Sequence, residues 1–168
     1  MKLTFNAPVT LLFSAICVVF LLLSPVVTGL ATMPIFGIFI HANWQHLFGN
    51  MMLLLLLGPI IEEKYGTLIT GGMIIFTAFV TWFLNSILFP GDIIIGASGI
   101  VFMFIMLASI TNIRGGQIPV TLILIALLYL GQEIVNAFKP DNISQFGQIV
   151  GGICGTVMGF IANYFKRT

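Results

Sequence analysis

Both histidines of the chain, His41 and His46, precede one long apolar stretch, and Asn50 follows four residues after His46. On a helix that spacing puts His46 and Asn50 on one face. An imidazole N–H and a carboxamide N–H can both donate to an oxygen that gains negative charge, the demand made by acyl transfer. One such donor is worth about 10²–10³ in rate. A nucleophile for that chemistry stands further on, in Gly96-Ala97-Ser98-Gly99. Its small neighbours admit a second backbone and leave the Ser98 hydroxyl within reach. A metal site built on His41 and His46 is the weaker chemical reading. Their five-residue spacing is awkward on one helix, and neither carboxylate nor cysteine accompanies them. The plainest alternative is interhelical hydrogen bonding that only holds a bundle together, worth about 0.6 kcal/mol per bond.

The elements that must position these groups are membrane spans. Of 168 residues, 59% are hydrophobic and 7% charged, whereas soluble domains carry about 25% charge. The apolar runs suit a hydrocarbon core about 30 Å thick. Six spans are expected, at residues 8–30, 46–61, 67–89, 96–113, 118–138 and 146–164, forming one domain over residues 1–168. The second and fourth are short for a full crossing. The first is too long for the apolar region of a signal peptide and reads as a retained span. Residues 31–45, broken by Pro34 and Gly37, read as a re-entrant or interfacial loop at the outer leaflet. With the N-terminus inside, Lys2, Lys64, Arg114, Lys166 and Arg167 fall on the cytoplasmic side and only Lys139 outside, as the positive-inside rule requires. Both termini are then cytoplasmic. A net charge of +1 without a basic patch gives no reason to expect nucleic acid, and no cofactor is expected. Cys17 and Cys154, inside apolar runs, read as packing residues.

This topology brings His41, His46 and Asn50, Ser98, and Gln148 to the outer ends of spans 2, 4 and 6. Polar groups at membrane depth are costly and face the bundle interior or a cavity. Their shared depth favours a site over separate structural bonds.

The pattern His41-x4-His46-x3-Asn50, Glu62-x3-Gly66, Gly96-Ala97-Ser98-Gly99 and Gly151-x3-Gly155 resembles the rhomboid intramembrane serine proteases along nearly the whole chain. The resemblance implies an all-α, six-helix membrane bundle with a membrane-embedded first loop. Ser98 would be the nucleophile, and His46, Asn50 and the Ser98 backbone N–H would hold the oxyanion. His41 would brace the first loop, and Glu62 would serve the framework of loop 1 and helices 2 and 3. Phe102 would pack on the helix 6 histidine, while Gly151, Gly155 and Gly159 would let helix 6 approach helix 4. The chain departs from the family at three places. Gln148 stands where the catalytic histidine belongs, Met103 replaces a small residue, and the first loop lacks arginine. Glutamine cannot take up a proton, and a serine hydroxyl needs a base.

The resemblance therefore implies a serine endopeptidase scaffold acting on transmembrane substrates near the outer leaflet, inactive or impaired as it stands. A pseudoprotease that binds transmembrane helices without cleavage is the alternative. A transporter would want polar groups along the inner half, which is nearly all apolar. Glu133 on span 5 is a surrogate base or, more simply, a headgroup or loop contact. The plasma membrane of a prokaryote is the expected location.

Overall fold

In a computed structural model the chain is described over residues 5–111 and 145–165, with positions 120, 123, 124, 127, 128 and 131 between them. Every regular element among the described residues is helical. Helix α1 (Pro8–Leu22) and the one-turn α2 (Ser24–Val27) lead into two 3-10 turns, Thr28–Thr32 and Phe36–Phe39. Then come α3 (Trp44–Tyr65), α4 (Thr67–Leu88), α5 (Ser98–Thr111) and α6 (Phe146–Phe165).

Two span boundaries differ from expectation. The first span does not run to residue 30, because the chain bends by 94° between Pro8–Leu22 and Ser24–Thr32. Pro25 causes the break: it has no N–H to continue the ladder, and its ring clashes with the preceding turn. The second span is not short. Helix α3 has 22 residues, about 33 Å at 1.5 Å per residue, and runs past Pro59 to Gly66. The chain reverses there, since Gly66 has φ +84°, open to glycine but to few other residues. Helices α3, α4 and α6 are long and apolar enough to cross a membrane, and the bent α1 pair would make a fourth span.

Helix α5 is the short one, with 14 described residues, about 21 Å long. It needs no lipid-facing length because it is the core of the bundle. Ile100, Val101, Met103, Phe104, Ile105 and Leu107 are all buried, enclosed by α3, α4 and α6. A helix apolar all round is one that packs all round. Of the expected fifth span, the described positions are helical, and Val120, Ile123, Leu124, Leu127 and Leu128 expose their side chains on one face. The rest of it, Glu133 included, lies outside the described residues, as do Lys2, Arg114, Lys139, Lys166 and Arg167.

Among the described residues the most extensive helix contact is between α5 and α6, and glycine makes it. A Cβ built on Gly99 would lie 2.7 Å from the Gly147 carbonyl oxygen; one on Gly151 would lie 2.7 Å from the Gly99 carbonyl carbon. One on Gly155 would lie 3.0 Å from the Met103 Cα, and one on Gly159 3.0 Å from the Ile110 side chain. The two backbones thus touch over several turns, as small-residue stripes allow in membrane helices.

Candidate active site

The irregular segment 94–97 delivers Ser98 to the first turn of α5. Two contacts with the first loop hold it. The Gly96 N–H donates to the Gly37 carbonyl at 3.0 Å. The Ala97 N–H donates to Nε2 of His41 at 3.4 Å, while the other ring nitrogen, Nδ1, bonds the Phe39 carbonyl at 3.1 Å. His41 is therefore a bridge from loop 1 to the residue before Ser98, with both nitrogens engaged. Burial, chiefly, and the neighbouring His46 push its pKa down to about 4, against the Phe39 carbonyl, which raises it. Its ring meets the His46 ring edge to face at 5.0 Å between centroids. Gly37 must be small, since its Cα approaches the Ile94 backbone carbonyl too closely for any side chain.

His46 and Asn50 reach the same segment from α3. The Asn43 side chain caps that helix by accepting the His46 N–H at 2.8 Å, which fixes where the His46 ring emerges. Gly96, with φ +106°, lies under both side chains. A Cβ there would stand 2.7 Å from His46 Nε2 and 3.7 Å from Asn50 Nδ2. Asn50 is 4% exposed, and its Nδ2 has no hydrogen-bond partner.

Gln148 closes the site from α6. Gly147 and Gly151 both pack on Gly99, and Gly152, one turn after Gln148, packs on the Phe102 ring. Helices α5 and α6 run parallel in this contact, so Gln148 stands level with the start of α5, on the face that meets it. It is 2% exposed and Ser98 is 6% exposed; the Gln148 Nε2 has no hydrogen-bond partner. This amide nitrogen therefore makes no direct bond to Ser98. Phe102 lies against α6 at Gly152, one turn inward of residue 148.

Glu62 is found elsewhere than the first-loop framework. Its carboxylate accepts the Thr10 N–H at 2.7 Å, the Thr10 hydroxyl at 2.6 Å and the Val9 N–H at 3.2 Å. Helix α1 begins at Pro8 behind Ala7, which offers no cap. Glu62 supplies the missing cap from α3, where its negative charge also suits the helix N-terminus. Gly58, one turn earlier, leaves the room that Thr10 fills. Sequence reasoning missed Thr10 and Gly58, although a glycine four before a buried acid was visible. It also missed the buried polar row Thr70, Thr77, Thr81 and Asn85 on α4, whose seven- and four-residue steps were readable. Asn85 Nδ2 donates to the Asp92 carbonyl at 2.7 Å. Beside it a cavity of about 310 Å³ opens, lined among others by Thr32, Gly37, Thr81 and Ile94.

The fold and this arrangement can be set beside known proteins. The sequence profile of the Rhomboid domain matches residues 30–165. The chain belongs to the rhomboid family. It is 26% identical over 122 residues to Rhomboid-like protein 11, chloroplastic, of Arabidopsis thaliana, covering 72% of this chain and 40% of that one. It is 29% identical over 135 residues to Rhomboid-type serine protease 2 of Kluyveromyces lactis, covering 76% and 50%. RHOMBOID-like protein 4 of Arabidopsis thaliana matches at 29% over 129 residues, covering 73% and 32%. The chain thus spans half or less of the length of these relatives. With its apolar helices, this rhomboid is an integral membrane protein.

Proposed function

We propose that this rhomboid is an intramembrane serine endopeptidase by construction, acting on transmembrane helices near the outer leaflet, with turnover impaired by Gln148. The observation that carries the reading is the convergence of three helices on residues 96–99: His46 and Asn50 from α3, Ser98 at the start of α5, and Gln148 from α6. Ser98 is the nucleophile. Asn50, His46 and the N–H groups of the first turn of α5 face the oxygen on which charge develops, where the positive end of the helix assists them. The missing part is a proton acceptor at residue 148, because a carboxamide has none. The name of the yeast relative, a serine protease, supports a hydrolase over a non-cleaving binder.

Both termini are proposed to lie on one side, cytoplasmic, with the site toward the opposite leaflet. The expected prokaryotic plasma membrane has no counterpart among the plant and yeast relatives above. The test of the activity is Gln148→His assayed on a generic transmembrane reporter in liposomes. Cleavage should appear, and Ser98→Ala in that background should remove it. A folded Gln148→His variant that binds the reporter yet never cleaves it would favour the pseudoprotease.

A further inference from the structure

We infer that the cluster of buried donors at the outer end of α5 is a receptor for a carboxylate carried on an apolar chain. The inference rests on the protease reading in taking this place as the binding site, but it requires no bond to break. Hydrogen-bond donors from three helices come together there, and the two carboxamides among them await an acceptor. Asn50 Nδ2 and Gln148 Nε2 are both buried without a partner. The third is the first turn of α5. Its regular ladder starts only with the Val101 N–H, which donates to the Ala97 carbonyl at 2.9 Å. The N–H groups before it have no acceptor within the helix.

A carboxylate fits this set. It presents two oxygens with about four lone-pair sites, it is favoured at the positive end of a helix, and it takes shorter, stronger bonds from amides than a neutral carbonyl does. Among the described residues, the carboxylates that would repel it are remote or turned to solvent. Glu62, on the same helix as Asn50, lies 12 residues further along α3, about 18 Å at 1.5 Å per residue. Asp92 sits exposed in the turn before the segment, where its main-chain carbonyl is engaged by Asn85. The sequence neighbours of the donors are apolar: Leu47 and Met51 on α3, Phe102 on α5 and Val150 on α6 are buried in the hydrophobic core. An acid with a long hydrophobic tail satisfies both parts. Two sources offer that chemistry, the free C-terminal end of an apolar peptide and a fatty acid. Gln148 is the residue that turns the site from proton transfer toward anion capture.

The experiment uses the whole chain in neutral-detergent micelles, titrated calorimetrically with four probes. These are a ten-residue apolar peptide with a free C-terminal carboxylate, the same peptide as its C-terminal amide, laurate, and dodecanol. The acid of at least one pair should bind roughly tenfold or more tightly than its neutral partner, the worth of a charge-assisted bond. Preference in the peptide pair alone assigns the peptide source, and in the lipid pair alone the fatty-acid source. Gln148→Met and, independently on α3, Asn50→Leu should each abolish the preference. Gln148→Glu, nearly isosteric with the wild type, should abolish it too, while Gly72→Ala, on α4 with nothing within 4 Å of the added Cβ, should retain it. Equal binding of acid and neutral forms in both pairs would overturn the inference, as would a preference that survives Gln148→Met and Asn50→Leu. Cleavage by the Gln148→His variant is read separately. Carboxylate preference without cleavage sinks only the protease reading, and cleavage without the preference sinks only this one.

Discussion

Gly151→Ala should damage the site without touching any polar group in it. The added methyl would lie 2.7 Å from the Gly99 carbonyl carbon and nearer still to its oxygen. Both are backbone atoms of α5, so no side chain can swing aside. Restoring even the 3.4 Å at which ordinary contact begins requires α5 and α6 to part by at least about 0.7 Å at this level. Overpacking of this kind costs about 1–3 kcal/mol. The same displacement carries residue 148 away from Ser98, and a misplacement of about 1 Å in a catalytic constellation costs about 10²-fold in rate. In a Gln148→His background, Gly151→Ala should therefore lower cleavage about 10²-fold and lower the unfolding midpoint in micelles. Gly72→Ala provides the contrast. Nothing lies within 4 Å of a Cβ at that position, and Ala in a helix interior gains about 0.5–1 kcal/mol over Gly. If Gly151→Ala were as stable and as active as Gly72→Ala, the backbone contact between α5 and α6 would be refuted.

Glu62→Ala should lower stability by about 1–3 kcal/mol, because it leaves the Thr10 hydroxyl and the first N–H groups of α1 unsatisfied; denaturant titration in micelles and protease sensitivity of α1 would show it. His41 has a folded pKa of about 4 against the ordinary 6.5, so the unfolded chain takes up its proton first. Stability from this group is present above pH 6.5 and is lost as pH falls toward 4, by at most about 3 kcal/mol; His41→Gln should flatten that slope in unfolding measured between pH 4 and 7. A reporter inserted at Gly91–Asp92 should read as external and one fused after Thr168 as cytoplasmic; a cytoplasmic signal from the first would invert the proposed orientation.

Local signals were legible in the sequence where they coincide with a local cause. The four-residue step from His46 to Asn50 and the glycine repeat 151-155-159 act over one or two turns, and each recurs in the structure as a shared face or a helix contact. Pro25 and Pro59 carry the same warning, yet they behave differently. Pro25 bends the chain by 94°, whereas Pro59 stays inside α3, because neighbouring helices can support a freed carbonyl. Periodicity alone does not tell these cases apart. Partnerships across long separations were not legible at all. Glu62 and Thr10 are 52 residues apart, and only packing of α1 against α3 brings them together. The same holds for the Gly37 carbonyl and the Gly96 N–H, which join the first loop to the serine segment. Gln148 was placed by its register with the glycines, and the structure adds that its Nε2 is buried and idle, a property no sequence pattern records.

The most direct measurement is the rate at which a fluorophosphonate probe labels the chain in micelles, with the modified residue found by mass spectrometry. Labelling requires a reachable, activated serine at an oxyanion site, and it does not depend on finding a substrate. In the unaltered chain Ser98 should be labelled very slowly. Gln148→His should raise that rate about 10²–10⁴-fold, the usual worth of a positioned general base, with Ser98 the only serine modified. Labelling at another serine, or equal rates at Ser98 with Gln and His at residue 148, would contradict the assignment of Ser98 as nucleophile and residue 148 as the place of its base.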